Sequence, residues 1–313
     1  LLLLVSIAAF AAAKPIVLYG EQHKYKDKIV YQEQTRYQKI VVTQWKDDFW
    51  LFINGSTQFS TYDEERYHEP LVHPVMGLIE ERNDILLLGG GDGLAAREIL
   101  KYSDVKNLTL VDLDPAMTRL AQQDKIFLNI NQESMNDPRI SVVNQDAYQF
   151  IKGSDRLYDV IVIDLPDPKS VSLSLLYSLG FYKMVEKHLK PFGAMITQST
   201  SPLYSPEVFL CIKKTMQAAG FSVLPYQNSI PSMGQWGWNL GIRNKVISSK
   251  ILKQKAGMYK YPDIETHFFN QDAMISMVHF GKGLFEKEEK IEINTQFNHN
   301  ILKYYRQGSW DLY

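Results

Sequence analysis

The densest set of chemistry-capable residues is a glycine turn, Gly89-Gly90-Gly91-Asp92-Gly93, followed along the chain by Asp112, Asp146, Asp164 and Asp167. Glycines in a turn tolerate φ > 0 and let a ligand approach the backbone closely. The turn is not a Walker loop, because no Gly-Lys-Ser/Thr follows it. Asp112 stands about 20 residues further on, where a carboxylate at a strand end can accept both hydroxyls of a ribose. Asp146 comes after the next apolar run, placed to accept from an adenine amino group. The alternative for both is that they only cap helices. A dinucleotide turn of the G-x-G-x-x-G type does not fit, since position 94 is Leu and no glycine follows until Gly153. The charge of Asp92 inside the turn opposes a pyrophosphate and suits a cationic ligand, which points to a sulfonium nucleoside of the S-adenosylmethionine type. Asp164-Leu165-Pro166-Asp167-Pro168 then sets two carboxylates three apart, suited to a substrate bearing ammonium groups. A turn rich in Asp and Pro for conformational reasons alone is the competing explanation.

These residues need a scaffold that brings strand ends to one edge. Apolar runs at Ile85 to Leu88, Leu108 to Val111, Ile140 to Val143 and Val160 to Ile163 alternate with helix-like stretches. That alternation predicts α/β architecture, a Rossmann-like sheet of the methyltransferase type with helices on both faces. Further runs at Ala194 to Thr197 and Phe221 to Leu224 flank a helix with Ser205 as N-cap, Pro206 at its first position and Gly220 as its stop. Cys211 shares the apolar face of that helix with Val208, Ile212 and Met216, which makes it a core residue. Upstream, short strands between Ile29 and Phe59, broken at Asp47-Asp48 and Asn54-Gly55, predict a small antiparallel β unit, and a helix is expected over Tyr62 to Glu81 despite Pro70 and Pro74. The expected organisation is a leading segment 1–28, a β domain with connecting helix 29–84, a catalytic domain 85–245 and an appended C-terminal lobe 246–313.

Composition narrows the partners. With 34 Lys and Arg against 35 Asp and Glu the net charge is −1, so no basic excess supports nucleic-acid binding. A single cysteine permits neither an intrachain disulfide nor a cysteine-built zinc site. His68 and His73 form HExxxH, whose rings lie about 140° apart on a helix, so no metal is expected there. Leu1 to Ala13 carries no charge and reaches about 20 Å as a helix, short of a ~30 Å hydrocarbon core. It reads as the remnant of a transmembrane helix or as the apolar region of a signal peptide. Lys14, Lys24, Lys26 and Lys28 after it suit the cytoplasmic side of a span. The resulting expectation is a multi-pass cell-membrane protein with its catalytic part in the cytoplasm.

From about Val30 to Arg243 the chain resembles the polyamine aminopropyltransferases, the spermidine synthase family. The resemblance rests on TRYQKIVV with Gln38, LFINGSTQFSTYDEERYHE, GGGDG, VDLD, the Asp146 step and DxxDP. The N-terminal segment, PSMGQWGW and the aromatic tail look more like the membrane-associated subgroup. The resemblance implies transfer of the aminopropyl group of decarboxylated S-adenosylmethionine, a co-substrate and not a prosthetic group, to a diamine such as putrescine. It implies that Gln38, Asp112, Asp146 and Ala147, with the Gly89 to Gly93 turn, hold the nucleoside. Asp92 and His68 would face the aminopropyl amine or the polyamine, Tyr67, Asp164 and Asp167 would line the acceptor side, and Asp164 matches the proton acceptor. Self-association is also implied. The departures are Ala147 where the family has Gly, Leu165 and Pro166 where it has small polar residues, and Lys169-Ser170-Val171 where Gly-Pro usually follows. A methyltransferase on the same fold and a non-catalytic polyamine-binding membrane protein are the alternative functions.

Overall fold

The computed structural model describes residues 20–243, 247–258, 260–261 and 264–310. The chain divides into two compact units, with the boundary between Tyr62 and Asp63.

The N-terminal unit is a meander of β1 (Lys28–Gln34), β2 (Lys39–Trp45), β3 (Asp48–Ile53) and β4 (Ser56–Ser60), antiparallel throughout in the order β1-β2-β3-β4. Its β3–β4 turn is Asn54-Gly55, both at positive φ (51° and 81°), the conformation that matches a two-residue hairpin to strand twist.

The second unit is built on a seven-stranded sheet. Its strands are β5 (Asp84–Gly89), β6 (Asn107–Asp112), β7 (Ile140–Asn144), β8 (Tyr158–Asp164), β9 (Leu189–Gln198), β10 (Ser222–Ile230) and β11 (Gly234–Ile242). They lie in the order β10-β11-β9-β8-β5-β6-β7, parallel from β9 to β7 and antiparallel where β11 joins β9 and β10. Ile85 to Leu88 and Val160 to Ile163 are fully buried, although successive strand residues face opposite sides, so these strands are covered on both faces. After β5 the chain builds outward through β6 and β7, then returns to place β8 on the other side of β5. That reversal makes the paired ends of β5 and β8, where Gly89 stands beside Asp164, a topological switch point, the place where open α/β sheets take ligands.

β11 has no counterpart in the apolar runs of the sequence because glycines interrupt it. They are there for packing: a Cβ on Gly237 would lie 2.6 Å from the Phe209 ring and one on Gly241 2.9 Å from Met216, both on helix Pro206–Ala218. Ser205 precedes that helix but its side chain makes no capping bond, so only Pro206 and Gly220, at φ +108°, act as expected.

Helix Glu65–Leu78 carries two internal prolines, which remove the donors that would serve the carbonyls of Arg66 and Pro70. β10 replaces them. Asn228 Nδ2 donates to the Arg66 carbonyl at 2.9 Å and Tyr226 Oη to the Pro70 carbonyl at 2.6 Å. The helix is thereby tied to the large sheet, and its Glu69 accepts from the backbone N–H groups of His267, Phe268 and Phe269. This places the unit boundary at Tyr62/Asp63 and not at 84/85.

The separate C-terminal lobe is also corrected. Ile291 and Ile301 join the main core, Asn294 accepts from the Leu179 N–H at 2.8 Å and its Nδ2 donates to the Ser174 carbonyl at 2.8 Å. The membrane expectation is corrected too: among the described residues no helix is long and apolar enough to cross a membrane. Leu1 to Ala13 and Lys14, on which that expectation largely rested, lie outside the described residues.

Candidate active site

Four strand ends deliver the acidic residues to one edge. β5 runs into the glycine turn, where Gly89, Gly90 and Gly93 take φ of +83°, +68° and +88°. Gly91 leaves room for β6: its N–H donates to Asp112 Oδ2 at 3.2 Å, and a Cβ there would lie 2.6 Å from the same oxygen. Asp92 Oδ1 accepts from the Leu94 N–H at 2.8 Å, opening helix Leu94–Leu100. Asp112 caps no helix. Its Oδ1 accepts from the Asp114 N–H at 2.9 Å, and Asp114 is the N-cap of helix Pro115–Gln123. Asp146 does cap a helix, accepting from the Gln149 N–H at 2.9 Å, with Ala147 buried at the first position.

At the end of β8 Tyr67 Oη donates to Asp164 Oδ1 at 2.6 Å, a contact spanning 97 residues of sequence. Tyr67 is packed beside Trp238 at 5.6 Å and Trp236 at 6.4 Å. The loop after β8 is clamped from beneath. Tyr177 Oη donates to the Leu165 and Pro166 carbonyls at 3.0 and 3.1 Å, while Gln198 Nε2 reaches the Leu165 carbonyl at 2.7 Å and Asp167 Oδ1 at 3.3 Å. Tyr305 Oη donates to Asp167 Oδ2 at 3.1 Å.

His68, 2% exposed, directs Nδ1 to the Glu64 carboxylate at 2.8 Å, and Arg97 holds the other Glu64 oxygen at 2.7 Å. His73 turns elsewhere, with Nε2 2.9 Å from Glu98 and Nδ1 3.1 Å from Tyr102 Oη. The two rings therefore have separate partners. Among the described residues no three His, Cys, Asp or Glu side chains are grouped to hold a metal. Cys211 is buried and its thiol is pushed up to about 12 by that burial, in keeping with a core residue.

The electrostatics are those of acids held out of water close to one another. Burial is the main cause raising Asp164 and Asp112 to about 6 each, with the charge of Asp92 adding to both. Burial also raises Asp92 and Asp167. Burial acts to lower His68, but the hydrogen bond and charge of Glu64, with the charges of Asp92 and Asp164, outweigh it and hold it at about 9. The charge of Asp92 acts on Asp112, Asp164 and His68, and His68 and Asp164 act on each other, in keeping with the adjacent strand ends. Such a site is short of positive charge and suits a cationic ligand.

Of the residues singled out in the sequence, Tyr67, His68, Gly89 to Gly93, Asp92, Asp112, Asp146, Ala147, Asp164 and Asp167 all lie at or beside these strand ends. Gln38 belongs to the N-terminal unit and is outside this set. It closes the turn into β2, its N–H donating to Thr35 Oγ1 at 3.0 Å and its carbonyl accepting from the Thr35 N–H at 2.9 Å. Tyr177 and Gln198 have no motif to mark them, while Glu64 lies in the LFINGSTQFSTYDEERYHE segment and Tyr305 in the aromatic tail without either having been singled out. Only Glu64 carried a local signal, its i,i+4 spacing to His68.

A parallel sheet reversed between β5 and β8, with acids at its carboxyl edge and an antiparallel pair at one margin, defines a Rossmann-like α/β protein of the methyltransferase type. The family model of the spermine/spermidine synthase domain matches residues 64–253, and the chain belongs to that family. Among curated relatives, the polyamine aminopropyltransferase of Oceanobacillus iheyensis is 40% identical over 98% of this chain and 58% of its own length. Polyamine aminopropyltransferase 1 of Streptomyces coelicolor is 43% identical over 74% of this chain and 44% of its own. The chain thus spans about half the length of these relatives. A solved spermidine synthase in complex with the transition-state analogue AdoDATO superposes with a TM-score of 0.74 at 22% identity, covering 84% of this chain and 89% of that one. The spermidine synthase from Thermotoga maritima gives 0.73 at the same identity, covering 84% of this chain and 88% of its own. These two establish likeness of fold. Among the described residues no helix is long and apolar enough to span a bilayer, so the structure does not support the membrane-associated subgroup or the multi-pass localisation.

Proposed function

We propose that the chain transfers the aminopropyl group of decarboxylated S-adenosylmethionine to a diamine such as putrescine, giving spermidine and methylthioadenosine. The observation that carries this reading is the Tyr67–Asp164 pair, set at the end of the strand that pairs with the one leading into the glycine turn of Asp92. The amine nitrogen attacks the propyl carbon bonded to sulfur, the C–S bond breaks with its electron pair passing to sulfur, and the nitrogen gives up a proton. Attack needs a neutral amine. From an ordinary value near 10.4, neutrality at pH 7 costs about 4.6 kcal/mol, and a nearby carboxylate adds to it by stabilising the ammonium. Asp164 therefore serves as proton acceptor, held in one orientation by Tyr67, while Asp167 anchors the distal ammonium. Asp112, Asp146 and Ala147 take the nucleoside, and the family resemblance adds Gln38 and self-association, the latter testable by sedimentation. Incubating the purified chain with decarboxylated S-adenosylmethionine and an amine mixture, then weighing the products, tests the reading: an aminopropyl increment supports it, whereas a methyl increment or no methylthioadenosine overturns it.

Two further outcomes are expected from the same site. Asp164 accepts a proton only when ionised, so kcat/KM for the amine should rise with pH through a limb near 6, the value burial gives the free site. The Tyr67 hydrogen bond lowers Asp164, so Tyr67→Phe should move that limb to higher pH. An unmoved limb in that variant would remove Asp164 from the base role. Asp92 should select the cofactor form, because ordinary S-adenosylmethionine brings a carboxylate that the decarboxylated form lacks. Asp92→Asn should cut the preference for the decarboxylated form by about tenfold or more, as relief of a like-charge contact does. Competitive displacement of the two forms measures this, and an unchanged ratio counts against Asp92.

A further inference from the structure

The family match ends at residue 253, yet one wall beside the anchoring carboxylate comes from beyond it. Helix Asn300–Arg306 carries Tyr305, whose Oη donates to Asp167 Oδ2 at 3.1 Å. The ring behind that hydroxyl is braced. It stacks on Trp310 with centroids 4.5 Å apart and planes at 29°, and Trp310 Nε1 donates to the Tyr305 carbonyl at 2.7 Å. Trp310 lies in turn 6.5 Å from the Tyr204 ring, and the Ser309 N–H donates to the Tyr204 carbonyl at 2.8 Å. The helix itself is fixed by Ile301, fully buried in the core.

We propose that Tyr305 is the end stop of the acceptor site, a specificity-determining residue that admits a short diamine and turns away amines extended beyond the second nitrogen. This rests on the aminopropyl-transfer reading. With the reacting amine at Asp164 and the distal ammonium at Asp167, a longer chain would meet the Tyr305 side chain, whose hydroxyl holds Asp167, whose ring is backed by Trp310, and over which the Lys169 ammonium lies 6.0 Å from the ring centre. A braced aromatic pair yields less readily than a single loop side chain, so the exclusion is steric and stiff. The hydroxyl has a separate part: together with Gln198 Nε2 on Oδ1 it fixes the Asp167 carboxylate, leaving its remaining lone pairs for the ammonium.

The test compares putrescine and spermidine as acceptors by methylthioadenosine release and product mass in the whole chain. Tyr305→Ala should raise the spermidine-to-putrescine ratio of kcat/KM by about tenfold or more, as opening a pocket by several carbons does. Trp310→Ala, which leaves Asp167 and the hydroxyl in place, should raise it by a smaller factor of about three. Tyr305→Phe keeps the ring and should hold the ratio within about twofold while raising the putrescine KM about threefold. If Tyr305→Ala melts before it can be assayed, the Trp310→Ala ratio decides. A ratio unmoved in both alanine variants, with putrescine turnover intact, overturns the end stop and leaves the transfer reading standing. Wild-type chain that releases no methylthioadenosine with any amine overturns the transfer reading, and the end stop with it.

Discussion

Asp164→Asn should lower kcat by about 10²–10⁴, the usual contribution of a positioned proton acceptor, while methylthioadenosine still binds. The substitution is nearly isosteric, and the amide oxygen can still accept from Tyr67 Oη, so the geometry is retained and the basicity is not. The same variant carries a stability signature that separates a base from a structural carboxylate. Burial lifts Asp164 from its ordinary 3.8 to about 6, so between those values the folded chain binds the proton more tightly than the unfolded chain does. Stability contributed by that protonation is present below the ordinary value and is lost as pH rises through about 6. Above pH 6 the ionised, desolvated carboxylate is a cost that Asn does not carry. Asp164→Asn should therefore melt a few degrees above wild type at pH 7.5, since about 1 kcal/mol corresponds to 2–4 °C in a chain of this size. The gain should vanish near pH 4. Thermal melts at the two pH values, run beside the turnover assay, check both halves. Retained turnover would dismiss Asp164 as the proton acceptor, and a melting temperature lowered at both pH values would recast it as a structural group.

Gly89→Ala should be the most destabilising of the glycine substitutions in the turn. A Cβ there would stand 2.0 Å from the backbone oxygen of Asp164 and 2.8 Å from its carbonyl carbon, at φ +83°. The obstacle is backbone in the paired strand, which no rotamer change relieves, so β5 and β8 would have to separate at the Gly89–Asp164 step of their ladder. We expect a loss of about 3–5 kcal/mol, in the range kept for strain at special backbone positions together with lost packing, and a melting temperature lower by about 10 °C. Activity should fall as well, because the displaced atoms belong to Asp164, the residue proposed as proton acceptor. Gly55→Ala supplies the comparison: it has nearly the same φ, +81°, but nothing within 4 Å of its Cβ. Left-handed strain alone costs about 1–2 kcal/mol. Equal losses at the two positions would show that backbone conformation, and not the close passage of the strands, dictates glycine at 89.

What could be read without coordinates followed physical periodicity. The core strands of the parallel sheet were legible because strands buried on both faces must be continuously apolar, as in Ile85 to Leu88 and Val160 to Ile163. Their polar punctuation, Asp112, Asp146 and Asp164, marked where each strand leaves the core. β11 was illegible for the opposite reason: Gly237 and Gly241 answer to Phe209 and Met216 on a helix met only in three dimensions, so the strand lacks an apolar run. The helix Glu65–Leu78 was legible as a helix, but its membership was not. What attaches it to the large sheet is Tyr226 and Asn228 filling the places of donors that Pro70 and Pro74 lack. The membrane expectation leaned on composition at one end of the chain, and composition alone does not place a segment.

What the sequence by itself determined is local chemistry: an anion within a glycine turn and a pair of acids after an apolar run set charge through residue type and spacing. Only tertiary structure decided which side chains hold those acids in place. Tyr67 meets Asp164 across 97 residues, and Tyr305 meets Asp167 across 138. Partners that far apart leave no periodic trace, because the chain between them is free to take any spacing that the sheet and its helices allow.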